Sequence, residues 1–298
     1  PVQSGETAAE PGIVPGWLWP ELSPHVLPEE WPALLERAPV DLRVNAARAS
    51  RDVMVREFDG AHPTAISPWG IRLPPDSRVD DHPAFAKGIV EVQHEGTQLI
   101  ALACAVEGEV TILDLCAGAG GKSLALAAAA PGATILATDS NRSRLAKLAP
   151  RADRAGARIE SRLLNPPNEL QELSDWRGKA NLVLVDAPCS GSGTWRRNPE
   201  GRWRLTRERL DRVVALQGHL LDIAAELVRP GGRIVYAVCS LLSREGAKQT
   251  ADFLSRRSSW IAEATPIAGG RLDGSGRLLT PGHDATDGFF VARLVRPC

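Results

Sequence analysis

From about residue 111 to the C-terminus, short apolar runs alternate with amphipathic stretches, and this alternation constrains the fold more than any other feature. Apolar segments at residues 111–115, 134–138, 158–163, 181–186, 233–238, 260–264 and 289–295 read as strands. The segments between them carry apolar residues at helical spacing, as in Leu210, Val213, Val214, Leu216, Leu220, Leu221 and Ala224. Strands that are apolar throughout, alternating with helices, predict an α/β fold with a mostly parallel seven-stranded sheet covered on both faces. Residues 269–287 have no such period and read as a long irregular loop before the last strand.

The first third of the chain is different. Residues 1–27 are rich in Pro and Gly, with Trp17 and Trp19 set between prolines, and read as an extended lead-in that docks its tryptophans elsewhere. A short helix at 29–37, a strand at 41–45, a helix at 50–58 and a strand at 70–73 predict a small α+β module over residues 28–85. The parallel-sheet domain then occupies residues 86–298.

Composition removes several classes of function. Lys and Arg number 35 against 36 Asp and Glu, so a nucleic-acid partner must be held by a local patch rather than a global field. The five cysteines are widely spaced, with no CxxC pair, and read as reduced thiols of a cytoplasmic protein. Neither His nor Cys recurs at metal-ligand spacing, so no metal is expected. No run is long and apolar enough for a bilayer, and residues 1–6 have no basic region leading into an apolar one, so neither membrane insertion nor export is expected.

In open α/β sheets chemistry gathers at the carboxyl ends of the strands, and four such ends carry reactive types. The first runs from Thr111-Ile112-Leu113-Asp114-Leu115 into Cys116-Ala117-Gly118-Ala119-Gly120-Gly121-Lys122-Ser123, a strand-to-helix turn whose glycines suit close approach of a ligand. The Gly-Lys-Ser ending is not a phosphate loop, because the required spacing puts glycine at position 116, where this chain has Cys. The next strand ends in Asp139, which can accept both ribose hydroxyl hydrogens or cap the helix near Asn141. A dinucleotide and an adenosyl cofactor both fit this loop and acid.

The other two strand ends carry thiols: Asp186-Ala187-Pro188-Cys189-Ser190-Gly191 and Tyr236-Ala237-Val238-Cys239-Ser240-Leu241. A lone cysteine is ordinarily a small hydrophobe, but two at neighbouring strand ends point to thiol chemistry. Beyond Cys189, Trp195 and Trp203 are interleaved with Arg196, Arg197, Arg202, Arg204, Arg207, Arg209 and Arg212. That run reads as a phosphate-contacting, base-stacking surface, or as a solvated helix face laced with ion pairs.

Taken together, these motifs, with Arg196-Arg197-Asn198-Pro199-Glu200 and Asp287-Gly288-Phe289-Phe290, resemble the Sun-type RNA cytosine-5 methyltransferases, especially the bacterial small-subunit rRNA methyltransferase B group. The resemblance spans roughly residues 28–298. It implies a Rossmann-like class I methyltransferase fold preceded by an RNA-recognition-like module, S-adenosyl-L-methionine as cofactor, and RNA as partner, with rRNA ahead of tRNA and a monomeric chain. It also implies that Cys239 attacks C6 of cytosine, that Cys189 helps expel the C5 proton and release the enzyme, that Asp186 holds the base near N3, and that Lys122 joins the catalytic group. Cofactor contacts carried over are Cys116, Ala117, Gly118, Ala119, Gly120, Gly121, Lys122, Asp139, Arg144, Asn165 and Asp186. Four departures concern loop shape and leave the reacting groups in place: Asn165 for the usual acid, Ala119 for Pro, Val238 for Thr, and Gly246 for Asn. Full-length relatives of that group carry a further N-terminal RNA-binding domain, for which this chain has no room, as expected of an excised catalytic core or a short family member. A catalytically silent RNA-binding assembly factor on the same scaffold, a nicotinamide-dependent oxidoreductase and a DNA cytosine-5 enzyme are the competing readings.

Overall fold

A computed structural model describes residues 12–105 and 107–298. Residues 1–11 of the expected lead-in lie outside the described residues.

The larger sheet is built on five parallel strands. They are β5 (Thr111–Asp114), β6 (Thr134–Asp139), β7 (Glu160–Leu163), β8 (Ala180–Asp186) and β9 (Val228–Val238), in the spatial order β7-β6-β5-β8-β9. The chain leaves β5 toward β6 on one side and returns to β8 on the other, so the order reverses at β5 and opens a crevice above its carboxyl end. Alternate residues serve opposite layers. Leu113, Val183, Val185, Ile234 and Tyr236 face the long helix Arg207–Leu227, while Ile112, Leu182, Leu184, Val235 and Ala237 pack with the helix Glu95–Cys104. Burial on both faces is why these strands read as unbroken apolar runs.

Four antiparallel strands extend the sheet beyond β9: β10 (Ile261–Glu263), β11 (Arg271–Asp273), β12 (Gly276–Leu279) and β13 (Phe289–Val295). The sheet therefore has nine strands among the described residues rather than the expected seven. The expected loop at 269–287 holds the β11–β12 hairpin and a short helix, Pro281–Asp284. Strands of three or four residues rich in Arg and Gly carry too little apolar period to register in the sequence.

The small sheet has the order β2-β3-β1-β4, all antiparallel, from β1 (Val40–Val44), β2 (His62–Pro63), β3 (Gly70–Leu73) and β4 (Val90–Val92). Its fourth strand lies past residue 85, the expected end of the module. Helix Arg51–Glu57, capped by Ser50, contributes Met54 to its own core with Leu42, Val44, Ile71 and Leu73. The expected helix at 29–37 is a 3-10 helix, Pro28–Leu34. Trp19 packs on Trp31 with ring centroids 4.4 Å apart, and Arg207 lies over the Trp17 ring, so the tryptophans of the lead-in are docked.

Candidate active site

Register brings the two thiols together. Parallel pairing sets Val185 opposite Tyr236 and Asp186 opposite Ala237, so Cys189 and Cys239 emerge at the same height from adjacent strands. Their sulfurs are 3.1 Å apart, both half-buried. The contact with Cys239, burial, and the charges of Cys239 and Glu245 push the Cys189 thiol well above its ordinary range.

Both sulfurs open onto a cavity of about 440 Å³ at the crevice. Leu115, Leu164, Pro166 and Leu220 supply its apolar wall, and Asp139, Glu169 and Asp186 its acids. Asp186 accepts from Lys122 Nζ at 2.6 Å. Burial alone would lower the Lys122 ammonium, but Asp186, Asp114 and Cys239 outweigh it, and the group is held above its usual range and charged. Lys122 lies on a second cavity of about 300 Å³ shared with Gln93, His94, Asp114, Cys116 and Asp186, so the two cavities meet at Cys116, Arg144 and Asp186.

Beneath them, Asp114 is fully buried, with Oδ2 accepting from Ser123 Oγ at 2.6 Å and Oδ1 without a partner among the described residues. Burial pushes its carboxyl up to about 7, against the Ser123 hydrogen bond. Burial also drives the Cys116 thiol well upward, helped by Asp114, Asp186 and Asp139, so Cys116 is a neutral wall residue.

The glycine turn is held from two sides. Asp139 Oδ2 accepts from the Gly118 N–H at 2.7 Å, and Oδ1 from the Asn141 N–H at 2.7 Å. Each oxygen keeps a lone pair for a further donor. Gly118 and Gly120 have φ of 57° and 79°, and a Cβ there would strike the Arg144 guanidinium and the Leu148 side chain respectively. Those glycines answer to left-handed backbone and to close neighbours. From the other side, Gln93 Nε2 donates to the Gly121 carbonyl at 3.0 Å and Arg151 to the Ala119 carbonyl at 2.6 Å. Gln93 follows β4 and is itself gripped by Arg43 of β1, so the small sheet braces the loop.

Of the residues singled out in the sequence, Cys116, Asp139, Arg144, Asp186, Cys189 and Cys239 share the larger cavity, and Ala117, Ala119, Gly121 and Lys122 line the smaller one. Arg144 is mostly exposed, 4.0 Å from Asp139. Asn165 does not join the described lining. Its backbone N–H and side-chain amide both donate to the Glu172 carboxylate at 2.8 Å, which turns the amide outward. The basic surface also needs correction. Trp195 is 2% exposed and belongs to the core, while Arg196 and Arg197 are bound to the buried Asp287 carboxylate. Trp203, Arg209 and Arg212 remain exposed.

Sequence reasoning missed Glu245 and Gln217. Glu245, wholly buried, accepts from the Ser190 N–H and hydroxyl, the Ser240 hydroxyl and Gln217 Nε2. The repeated Cys-Ser dipeptide was the signal that could have prompted a search for a shared acceptor.

Among the described residues, no group of three or more His, Cys, Asp and Glu is placed to hold a metal ion, and no helix is long and apolar enough to cross a membrane.

Comparison with known proteins places this arrangement. Residues 100–295 match the family described as 16S rRNA methyltransferase RsmB/F. The Ribosomal RNA small subunit methyltransferase B of Salmonella newport (strain SL254) is 33% identical over 293 residues, covering 95% of this chain and 66% of the relative. This chain thus spans just under two thirds of the length of that relative. The crystal structure of PH0851 superposes with a TM-score of 0.85 at 26% identity, over 97% of this chain and 69% of the other. NSun6 from Pyrococcus horikoshii, solved with SFG, shares the fold with a TM-score of 0.79 at 18% identity, over 89% of this chain and 92% of the other.

Proposed function

Since this chain belongs to the 16S rRNA methyltransferase RsmB/F family, we propose that it transfers a methyl group from S-adenosylmethionine to C5 of a cytosine in RNA, with small-subunit rRNA as the substrate. The observation that carries the reading is the pair of thiols 3.1 Å apart, beside the Lys122–Asp186 ion pair, at the mouth of one crevice.

The residues fit the cofactor. The cavity combines apolar walls for an adenine with Asp139 for ribose hydroxyls. The unpartnered Oδ1 of Asp114, with Asp186 nearby, makes an acid-rich floor suited to the ammonium and sulfonium of a methionine moiety. Cys116 to Lys122, Asp139 and Asp186 would hold it. When bound, it supplies an electrophilic methyl group.

The remaining chemistry falls to the chain. C5 of cytosine is a poor nucleophile until C6 is substituted, and the Cys239 thiolate adds there to give an enamine. Asp186, kept company by the Lys122 ammonium, accepts from the exocyclic amine and from protonated N3. Uracil would present a carbonyl at C4 to the same carboxylate, an unfavourable pairing of two acceptors. Cys189, beside the departing sulfur, gives its proton to the ring as Cys239 adds, and the resulting thiolate takes the C5 proton as Cys239 is expelled and N3 releases its proton to solvent. The target base must leave its stack to reach the thiols, which favours single-stranded or loop RNA.

The test is methyl transfer from labelled cofactor to rRNA, with methylated positions read by bisulfite sequencing. Cys239→Ala should lose methyl transfer while binding S-adenosylmethionine normally. Full activity in that variant would refute the reading, and methylation confined to tRNA would replace the substrate.

A further inference from the structure

Each of the two thiols is followed by a serine, and both serines are bound to one buried carboxylate. Glu245 Oε1 accepts from the Ser190 N–H at 2.8 Å and from Gln217 Nε2 at 3.0 Å, and its Oε2 accepts from the Ser190 and Ser240 hydroxyls. Four donors and no acceptor converge on it, the set an ionised carboxylate requires. Its own place is fixed, since Tyr236 OH donates to the Glu245 carbonyl at 2.7 Å. Gln217 also donates to the Pro188 carbonyl at 2.9 Å, so the same amide steadies the turn before Cys189. The carboxylate thus joins the turn after β8 to the turn after β9, one residue beyond each sulfur.

We infer that Glu245 is a positioning residue: it locks the two Cys-Ser turns together so that the sulfurs stay in contact, and it sets its carboxylate beside them. The inference rests on the methyl-transfer reading for its purpose, but its geometry does not. A mobile Cys189 could not stay beside Cys239 through addition and release. The groups facing Cys189 are Cys239 at the end of β9, Glu245 in the turn behind it and Asp186 at the end of β8. Lys122 stands beyond Asp186, Asp139, Arg144 and Glu169 lie across the cavity, and the long helix presents the neutral Gln217. Glu245 and Cys239 raise the Cys189 thiol, and burial acts in the same direction.

The test is site-resolved alkylation of the chain with iodoacetamide between pH 6 and 10, quantified by mass spectrometry, without RNA or cofactor. In Glu245→Gln the normalised midpoint for Cys189 should move to lower pH by about 1 unit, the effect of one nearby charge. The kcat for methyl transfer should fall at least about tenfold with S-adenosylmethionine affinity within about twofold. An unmoved midpoint would overturn the placing of that carboxylate beside the sulfurs. Should that variant not fold, Ser190→Ala and Ser240→Ala each remove one anchor and keep the charge. Both should lower kcat several-fold at constant KM for the cofactor, and unchanged kcat in both would overturn the clamp. Because alkylation needs no substrate, an inactive wild-type protein would refute the methyl-transfer reading while leaving the Glu245 measurement intact.

Discussion

Lys122 Nζ sits 2.6 Å from Asp186 Oδ2, joining the first turn of the helix after the glycine loop to the end of β8. The pair is charge-assisted and only partly exposed, with the lysine side chain 11% and the aspartate 29% accessible. It presents a fixed acceptor toward the cavity next to the thiols.

Selection of cytosine should depend on that acceptor. An Asp186→Asn variant replaces it with an amide that can donate as readily as accept, so the penalty against uracil disappears. Single-turnover kinetics on matched RNAs should show kcat/KM for cytosine falling about 100-fold, the size of a lost charged hydrogen bond of about 3 kcal/mol. Undiminished activity on cytosine would remove Asp186 from the proposed chemistry.

Which sulfur attacks can be read directly. RNA carrying 5-fluorocytosine cannot lose a proton from C5, so the covalent adduct should persist, and peptide mapping should find the base on Cys239. A linkage to Cys189 would exchange the proposed roles of the thiols, whose 3.1 Å separation allows either to reach one carbon.

Cofactor affinity should respond to residues outside the large sheet. Arg151 donates to the Ala119 carbonyl and pairs with Glu91 of β4, and Gln93 holds the Gly121 carbonyl. Each contact is a buried or half-buried hydrogen bond worth about 1 kcal/mol. Gln93→Leu and Arg151→Ala should each weaken S-adenosylmethionine binding about fivefold by calorimetry, while alkylation of the thiols stays as in the wild type. Equal affinities would mean that the loop keeps its shape without the small sheet.

The sequence was most legible where one local rule decides the outcome. Strands β5, β8 and β9 are apolar runs because both faces are covered, and the thiols at their ends were conspicuous for that reason. Asp139 and the glycine turn followed from the βα connection. Long-range polar pairings left no local trace: Glu245 lies in a turn with no period, and Gln93 meets Gly121 only after the small sheet has folded. Trp195 misled because an aromatic among arginines suggests a stacking surface, whereas Asp287, far along the chain, draws Arg196 and Arg197 inward and Trp195 goes into the core. The β11–β12 hairpin was missed because three-residue strands give no pattern to count.

Asp114 should leave a signature in the pH dependence of stability. Burial, only partly offset by Ser123, raises its carboxyl from an ordinary 3.8 to about 7 in the folded chain. The folded state therefore keeps a proton that the unfolded chain releases near pH 4. As pH rises from about 4 to about 7, unfolding gains that release while the folded state does not, so this group's favourable contribution is lost across that window. The loss amounts to about 4 kcal/mol. Asp114→Asn keeps the shape and a partner for Ser123 but cannot titrate. Urea denaturation from pH 4 to 8 should show the variant gaining on the wild type by about that amount as pH rises, with the difference levelling off above about pH 7. Parallel stability curves would mean that Asp114 is already ionised near pH 4 in the folded chain, its burial there offset by its neighbours.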